Sequence, residues 1–359
     1  MREKQRTQSE ITRAVCAMSG GVDSSVAAAL SLEQGFKCTG MTLKLFKKRI
    51  PGFQTDEADD ARNVAFNLGM DHYVLDFSDE FDKKVVRRFV ETYEQGLTPN
   101  PCIECNRNIK FNFQLMHAYM PDFDILVTGH YARITRDPAN GRCLLQKAVD
   151  EKKDQSYVLY CLTRQQLEKS FFPLGALSKN EVRKIAESRK FANADKTESQ
   201  DICFVPDGNY GNFIEEYTGK KYLPGDIIDS EGRLLGRHRG LIRYTIGQRR
   251  GLGVAANTPV YVAAKSIAAN TVTLAADEAL YSKSLDAKDI NLIACDDLKK
   301  PMRVMVKTRY LQTAQSAVAE QTGENSLHIE FDFPQRAITP GQAAVIYDGD
   351  IVVGGGTIE

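Results

Sequence analysis

Three cysteines and one glycine-rich loop are the residues of this 359-residue sequence best suited to chemistry. The loop is Ser19-Gly20-Gly21-Val22-Asp23-Ser24, between the apolar run Ala14–Met18 and a helical pattern. A strand that breaks into such a loop and opens a helix gathers bare backbone N–H groups and the positive helix end at one point, which suits phosphate oxygens. Gly20 and Gly21 permit the tight bend and a close approach. The loop lacks the lysine and spacing of the Walker type, so γ-phosphate transfer is not its expected work. Asp23 is placed to hold Mg2+ against the phosphates. A Gly-Gly turn that only packs helix on strand is the plainer reading, and a serine at each end with an acid inside outweighs it.

The thiols are Cys102 and Cys105, in Cys102-Ile103-Glu104-Cys105, and Cys203, in Ser199-Gln200-Asp201-Ile202-Cys203-Phe204-Val205. The first pair follows Thr98-Pro99-Asn100-Pro101, whose prolines set the turn geometry. It precedes Asn106 and a helix whose N-terminal dipole is expected to lower a nearby thiol pKa. Cys203, at the expected end of the first domain, is placed to fold back over the same cleft; taken alone, it reads as a buried apolar-like thiol. Cys16, Cys38, Cys143, Cys161 and Cys295 sit in strand-like or isolated contexts and read as packing residues. A phosphate loop with a set of thiols points to ATP-driven sulfur chemistry.

Those residues need a scaffold, and the length allows two or three domains, each with a real core. Eight cysteines are too sparse for a disulfide scaffold, and Met1–Arg13 is polar with no apolar targeting core, so a reducing cytoplasm is expected. No apolar run reaches the roughly 18 residues of a membrane span. Lys plus Arg and Asp plus Glu both number 47, so the net charge is zero and no global polyanion signal exists. Local runs do exist. Arg233, Arg237, Arg239, Arg243, Arg249 and Arg250 fall in a stretch without an acid, as do Lys299, Lys300, Arg303, Lys307 and Arg309. Each run fits a phosphate backbone or a solvated loop face equally well.

Up to about residue 205, short apolar runs alternate with helical patterns, which predicts βαβ units and a parallel sheet. Strands are expected at Ala14–Met18, Phe36–Leu43, His72–Phe77 and Asp124–Thr128. Helices are expected at Ser24–Gln34, Asp56–Leu68, Glu80–Gln95, Lys110–Met120, Gln155–Tyr160, Arg164–Ser170 and Lys179–Arg189, the last capped by Ser178 with Glu181 three positions on. Beyond Val205 the period changes to two, in short segments such as Asp226–Asp229, Leu241–Tyr244, Val260–Val262 and Thr271–Leu274. A further set runs through Arg303–Lys307, Gln315–Ala319, Leu327–Phe333, Ala343–Tyr347 and Ile351–Val353. The expected architecture is α/β plus β: a parallel-sheet domain over 1–205, a central β-barrel over 206–280 and a C-terminal β-barrel over 281–359; by its Ser19–Ser24 loop the first resembles the PP-loop domains of the adenine nucleotide alpha hydrolase type.

The loop resembles the PP-loop of the N-type ATP pyrophosphatases. Further blocks are Ala17-Met18-Ser19-Gly20-Gly21-Val22-Asp23-Ser24, Thr98-Pro99-Asn100-Pro101, Cys105-Asn106, Thr128-Gly129-His130-Tyr131 and Lys153-Asp154-Gln155-Ser156-Tyr157. Asp201-Ile202-Cys203-Phe204, Gly247-Gln248-Arg249-Arg250-Gly251-Leu252-Gly253, Lys307-Thr308-Arg309-Tyr310 and Thr339-Pro340-Gly341-Gln342 follow. Together, in this order, they resemble the signature blocks of the tRNA-specific 2-thiouridylases. The resemblance implies that ATP adenylates the C2 oxygen of the wobble uridine and that sulfur carried as a persulfide on Cys203 displaces AMP. Cys105 matches the second catalytic cysteine, which releases hydrosulfide from that persulfide or forms a disulfide with Cys203. Ala17–Ser24, Leu43 and Gly129 match nucleotide-binding positions. Asn100, Pro101 and Cys102 match positions facing the target base. Lys153, Asp154, Gln155, Arg309 and Tyr310, with His130 and Gln342, match tRNA contacts, although a histidine capping a strand end is the plainer reading of His130. The implied partners are the tRNA anticodon stem-loop and a sulfur-donor protein such as a cysteine desulfurase or persulfide relay.

Cys102 departs from the pattern, because many family members have Asp there, and a thiol does not replace a carboxylate as acid or base at neutral pH. Three thiols leave three readings open: persulfide chemistry, a 4Fe-4S cluster on Cys102, Cys105 and Cys203 as in iron-sulfur-dependent tRNA thiolases, and structural zinc, for which a fourth ligand is not evident. Two rivals share part of the signal. A small-molecule ATP pyrophosphatase of the amidotransferase-synthetase kind explains the loop but not the cysteine trio. A non-catalytic tRNA-binding protein needs neither the thiols nor Asp23.

Overall fold

A computed structural model describes residues 11–47, 57–194 and 202–359. Ser199, Gln200 and Asp201 of the Cys203 segment, Asp56 of the second expected helix, and residues 1–10 of the polar N-terminus lie outside them.

The first domain is built on a five-stranded parallel sheet in the spatial order His72–Asp76, Lys37–Lys44, Arg13–Ala17, Ile125–Val127, Ser170–Phe171. Strands covered by helices on both faces read as continuous apolar runs, and Ala14, Val15 and Cys16 are all buried. Val22–Glu33 is a helix because its buried face is small: Val26, Ala27, Ala28 and Ala29 pack close against the sheet. Gly35, at φ 83°, then turns the chain into the second strand. Sequence order reverses at Arg13–Ala17, which Lys37–Lys44 flanks on one side and Ile125–Val127 on the other. In open sheets of this kind the crevice beyond the carboxyl ends at that reversal receives the ligand. The Ser19–Ser24 loop leaves the first of these strands, and Thr128-Gly129-His130 leaves the other.

Several elements differ from the sequence expectation. The helix expected over Glu80–Gln95 spans 78–94 and contains a π-helical turn at Asp82–Val86. The Pro-rich turn leads straight into a helix at Pro101–Cys105, continued by a second π-helical turn at Asn106–Lys110. Asn100 caps it by accepting from the Cys102 and Ile103 amides, and Pro101, with no N–H to satisfy, stands at its first position. The helix expected from Lys110 begins at Phe113. Ser178 and Glu181 form the expected capping box on Lys179–Ser188.

Beyond residue 205 the chain first makes the helix Tyr210–Thr218, whose Ile214 is buried; the sequence reading passed over it. A four-stranded sheet follows in the order Tyr261–Ser266, Thr271–Ala275, Gly225–Ile228, Leu234–His238. Leu241–Arg243, expected as strand, is a 3-10 turn behind Gly240 at φ 101°. The final six strands pair in the order Tyr281–Leu292, Ser326–Arg336, Gln315–Gly323, Met302–Lys307, Ala343–Asp348, Ile351–Ile358, and Ala287 pairs with Ile358 to close them into a barrel. A hairpin of the first domain, Arg133–Arg136 with Cys143–Gln146, joins this sheet through Gln146 and Ile351. Arg133 to Asp350 at 2.8 Å and Arg142 to Asp296 at 2.6 Å hold the two parts together.

Candidate functional site

The phosphate loop is closed by its own hydroxyls. The Ser19 amide donates to Ser24 Oγ at 3.1 Å, and the Ser24 and Ser25 hydroxyls both donate to the Gly21 carbonyl at 3.0 Å. Gly20 takes φ 71°, a conformation only glycine adopts without strain. Gly21 caps the helix without a side chain, so the first-turn amides of Val22, Asp23 and Ser24 face the crevice with no intrahelical acceptor. Met18 is buried, with its amide on the Met41 carbonyl, and Ala17 and Leu43 are partly buried beside it. Gly129 lies against this loop so closely that a Cβ there would stand 2.8 Å from both Asp23 C and Ser24 N.

Asp23 does not stand ready as a Mg2+ ligand. Its Oδ1 accepts from Lys179 Nζ and from the Tyr131 hydroxyl, each at 2.7 Å. The carboxylate is thus already neutralised by a buried ammonium, and the residues present do not form a resident magnesium site. Lys179 and Asn193 had no motif to mark them. Asn193 donates to the Gly20 carbonyl at 2.9 Å and to Ser25 Oγ at 3.0 Å, bracing the loop from behind.

The thiols do converge. Cys102 and Cys105 share one side of the 101–110 helix, where Cys102 remains accessible and Cys105 is buried. That helix is pinned from below by Asn106 Nδ2, which donates to the Val158 carbonyl at 2.9 Å, and by the Cys161 thiol on the Ile103 carbonyl at 3.5 Å. Cys203 is brought in by its neighbour Phe204, which packs edge-on against Phe89 and Phe81 at centroid distances of 5.1 and 5.9 Å. Cys102, Cys105, Cys203 and Lys110 lie within electrostatic reach of one another, so that ionising any one of them acts on the others. The same lysine acts on His130, one residue beyond Gly129. Gly129 packs on the phosphate loop, and the ring of His130, the next residue, lies 5.7 Å from that of Phe111, which directly follows the 101–110 helix that carries Cys102 and Cys105. Lys110 is the functional candidate the sequence reading passed over; no motif frames it.

The expected lowering of thiol pKa by a helix end does not occur. Burial pushes Cys105 up to about 11, against the opposing pull of the Lys110 cation, and pushes Cys203 up to about 12. Cys102 shifts in the same direction, because its sulfur is surrounded by protein even though the residue keeps exposed surface. Desolvation disfavours a charged sulfur more than the dipole of one short helical segment favours it. All three thiols are neutral at rest. His130, buried between Phe111 and Phe172, is pushed well below its usual value by desolvation and then by Lys110, so its ring is neutral; its Nδ1 shares a proton with Thr128 Oγ1 at 2.8 Å.

The other residues singled out from sequence mostly brace the site. Gln342 Nε2 donates to the Thr98 and Pro99 carbonyls at 2.9 and 3.1 Å, and the Thr98 amide donates to the Pro340 carbonyl. The last domain therefore holds the turn that presents Asn100 and Pro101. Arg309 donates to the Ala337 carbonyl and Thr339 Oγ1, steadying the segment that carries Gln342. Gln155 and Tyr131 exchange two bonds, at 2.8 and 2.9 Å. Asp154 is buried, accepting from Ala148 N and from both N and Oγ of Ser156. Tyr310 leans on Tyr157 at 6.1 Å, and Lys153 is partly exposed. A cavity of about 170 Å³ beside the 101–105 helix is lined by Arg88, Asn100, Pro101, Glu104 and Arg107 and by none of the three thiols.

Among the described residues no group of three His, Cys, Asp or Glu side chains is arranged to hold a metal ion. Cys102, Cys105 and Cys203 lie within electrostatic reach of one another without that arrangement. Cys16, Cys38, Cys143 and Cys161 are buried as the packing reading expects.

Half of the arginine-rich run is neutralised from outside it. Arg233 pairs with Asp229 and Glu231, Arg237 with Asp226, and Arg243 with Glu215. Arg239, Arg249 and Arg250 are exposed, with no ion pair among the described residues.

Comparison with known proteins decides the family. The chain matches the tRNA methyl transferase HUP domain over residues 12–207, the tRNA methyl transferase PRC-barrel domain over 211–276 and the aminomethyltransferase beta-barrel domain over 282–358. It is 47% identical over 350 residues to the tRNA-specific 2-thiouridylase MnmA of Acetivibrio thermocellus, covering 95% of this chain and 98% of that one. The chain belongs to the tRNA-specific 2-thiouridylase family. The MnmA of Clostridioides difficile is 45% identical over 348 residues, covering 95% and 96% of the two chains. A solved U34-tRNA thiolase, NcsA from Methanococcus maripaludis with its [4Fe-4S] cluster, is similar over 58% of this chain and 68% of its own, at 18% identity and a TM-score of 0.35. A likeness that distant brings no cluster to this chain. Among the described residues no helix is long and apolar enough to cross a membrane.

Proposed function

We propose that this member of the family converts uridine in tRNA to 2-thiouridine, spending ATP to activate the C2 oxygen. The observation that carries the reading is the open phosphate loop with Gly129 packed against it, followed by His130 and its neighbour Phe111 at the end of the helix that carries Cys102 and Cys105. The helix amides of Val22–Ser24 bind the phosphates, and magnesium enters as the counter-ion of the nucleotide. Attack of the uridine O2 on the α-phosphorus expels pyrophosphate and leaves O2 bonded to AMP, converting a poor leaving group into a good one. Asn100 and Pro101, held by Gln342, position the base.

Sulfur arrives as a persulfide on Cys203, loaded by a donor protein. The Cys105 thiolate attacks the inner sulfur, forming a Cys105–Cys203 disulfide and releasing hydrosulfide, which adds to C2 as AMP departs. A thiol reductant then restores both cysteines. Cys102 stands at the entrance beside the base, where it takes no proton-transfer role at neutral pH.

The test is incubation of the full chain with ATP, a sulfur donor, a thiol reductant and unmodified tRNA, followed by nucleoside mass spectrometry. 2-Thiouridine and AMP are expected in equal amounts. Cys203→Ser and Cys105→Ser each abolish the product while leaving nucleotide binding intact. Absence of thionucleoside from the unaltered protein, with or without iron, removes the reading, and full activity of Cys203→Ser removes the persulfide assignment.

A further inference from the structure

One histidine beside the nucleotide crevice has a tautomer that follows from counting protons. His72 opens the edge strand His72–Asp76, and its Nε2 lies 2.9 Å from Thr42 Oγ1 on the neighbouring strand Lys37–Lys44. Thr42 is buried, and its hydroxyl donates in turn to the Met18 carbonyl at 2.7 Å. A chain of side-chain bonds therefore runs inward from the sheet edge across three neighbouring strands and ends on the residue just before the phosphate loop. Gly40, paired with His72 in the sheet, leaves room for the ring: a Cβ there would stand 2.9 Å from both His72 Cδ2 and the Met18 sulfur.

A carbonyl only accepts, so the single Thr42 proton is committed to Met18, and Thr42 Oγ1 must receive a proton from His72. The ring is then the Nε2–H tautomer. Its other nitrogen, Nδ1, is buried with no hydrogen-bond partner. A proton moved from Nε2 to Nδ1 would leave that N–H unpaired and set two lone pairs against each other at Thr42. The charged ring would carry the same orphaned N–H, in keeping with a His72 pKa lowered by burial and then by the Arg62 charge. Met18 and Leu43, the residue after Thr42, are both positions that match nucleotide binding, whereas Thr42 and His72 stand in none of the signature blocks.

We propose that His72 is a positioning residue for ATP: its Nε2–H holds the Thr42 hydroxyl, and that hydroxyl fixes the Met18 carbonyl, so that Leu43 and the Ser19–Ser24 loop meet the nucleotide in one preformed arrangement. This rests on the ATP-dependent function proposed above. No proton is transferred, because the ring acts only as a fixed donor.

The experiment is calorimetric titration of the full chain with ATP, joined to thiolation rates at varied ATP. His72→Leu is expected to weaken ATP binding about tenfold, the worth of roughly one buried hydrogen bond. KM for ATP should rise by a similar factor while kcat at saturating ATP is unchanged, the mark of a lost binding contribution. Thr42→Val breaks the same chain one bond further on and should match it, and the double variant should add little, since neighbours in one network are not additive. His72→Gln places an amide donor near the Nε2 position and is expected to return the affinity to within about threefold of the parent. A purely structural role would lower the unfolding temperature and leave the affinity of the folded protein alone. Nitrogen-15 spectra of the parent's histidines, with His72 assigned by its loss in His72→Gln, should show a protonated Nε2 and a bare Nδ1 at neutral pH. Should His72→Leu not fold, Thr42→Val and the spectrum decide. Parental affinity in the leucine and valine variants, a glutamine variant as weak as the leucine one, or an Nδ1–H ring in the parent overturns the proposal. A parent protein that binds ATP but makes no thionucleoside removes the proposed function, while the variants' affinities still decide the role of His72.

Discussion

Gly129→Ala tests whether the crevice depends on a contact that only glycine allows. The methyl would fall 2.8 Å from Asp23 C and Ser24 N and 3.1 Å from Asp23 O, all backbone atoms of the phosphate loop. Ordinary contact begins near 3.4 Å. Either the loop or the strand end must therefore retreat by roughly half an ångström, and neither is soft. The loop opens a helix whose Val26 to Ala29 are buried, and the strand end is fixed by the bonds between Tyr131 and Gln155. Overpacking of this kind costs about 1–3 kcal/mol. If that strain falls on the loop, the amides of Val22–Ser24 leave the phosphates, and nucleotide affinity drops about 5- to 150-fold at 1.4 kcal/mol per tenfold. Gly21→Ala is the contrast, because its methyl meets only Ser19 Oγ, at 3.5 Å. It should leave the unfolding temperature unchanged. Isothermal titration with ATP and thermal unfolding of both variants measure the difference. A Gly129→Ala protein with the parental affinity and the parental unfolding temperature would refute the argument that the two backbones are in hard contact.

Three further outcomes follow from the geometry. Gln342→Ala frees the Thr98 and Pro99 carbonyls and should lower stability by about 1–3 kcal/mol in denaturant titration, with thiolation impaired and ATP binding spared; equal loss of both would mean that the two domains do not act through this turn. Replacing Arg239, Arg249 and Arg250 together with Gln should weaken tRNA binding and reduce the slope of log K against log salt by about 2, whereas an unchanged slope assigns the run to solvent. Because burial holds Cys105 near 11 and Cys203 near 12, their alkylation rates should rise about tenfold per pH unit from 7 to 10 without a plateau; a plateau below pH 9 would contradict neutral resting thiols. The sign is that of an acid whose neutral form is favoured by folding, so native stability falls as pH rises past the ordinary thiol value and the unfolded chain alone ionises.

Much of the scaffold is legible in the linear pattern. The phosphate loop, the alternation that makes the parallel sheet, the Ser178–Glu181 capping box and the final β segments are each encoded within a few neighbouring residues, where local rules operate. Segments whose conformation depends on distant packing are not legible there. Leu241–Arg243 alternates like a strand but turns behind Gly240, and Tyr210–Thr218 is a helix in a stretch that otherwise reads as β. The helix through Cys102 and Cys105 hid behind its prolines, although Asn100 and Pro101 are a capping pair once the helix is recognised.

The amino-acid order by itself determined which groups carry the chemistry: a loop of open amides and three thiols at the right places in the chain. Tertiary structure alone decided their state. Burial kept Cys102 and Cys105, expected to be lowered in pKa by a helix end, as neutral thiols, Lys179 took the carboxylate that the sequence assigns to magnesium, and Gln342 became a brace for a turn far away in the chain. Lys110, Lys179 and Asn193 could not be found from motifs, because a charge or an amide acquires its role from what surrounds it in space. Electrostatic energies depend on distance and solvent exclusion, and neither is a local property of the sequence.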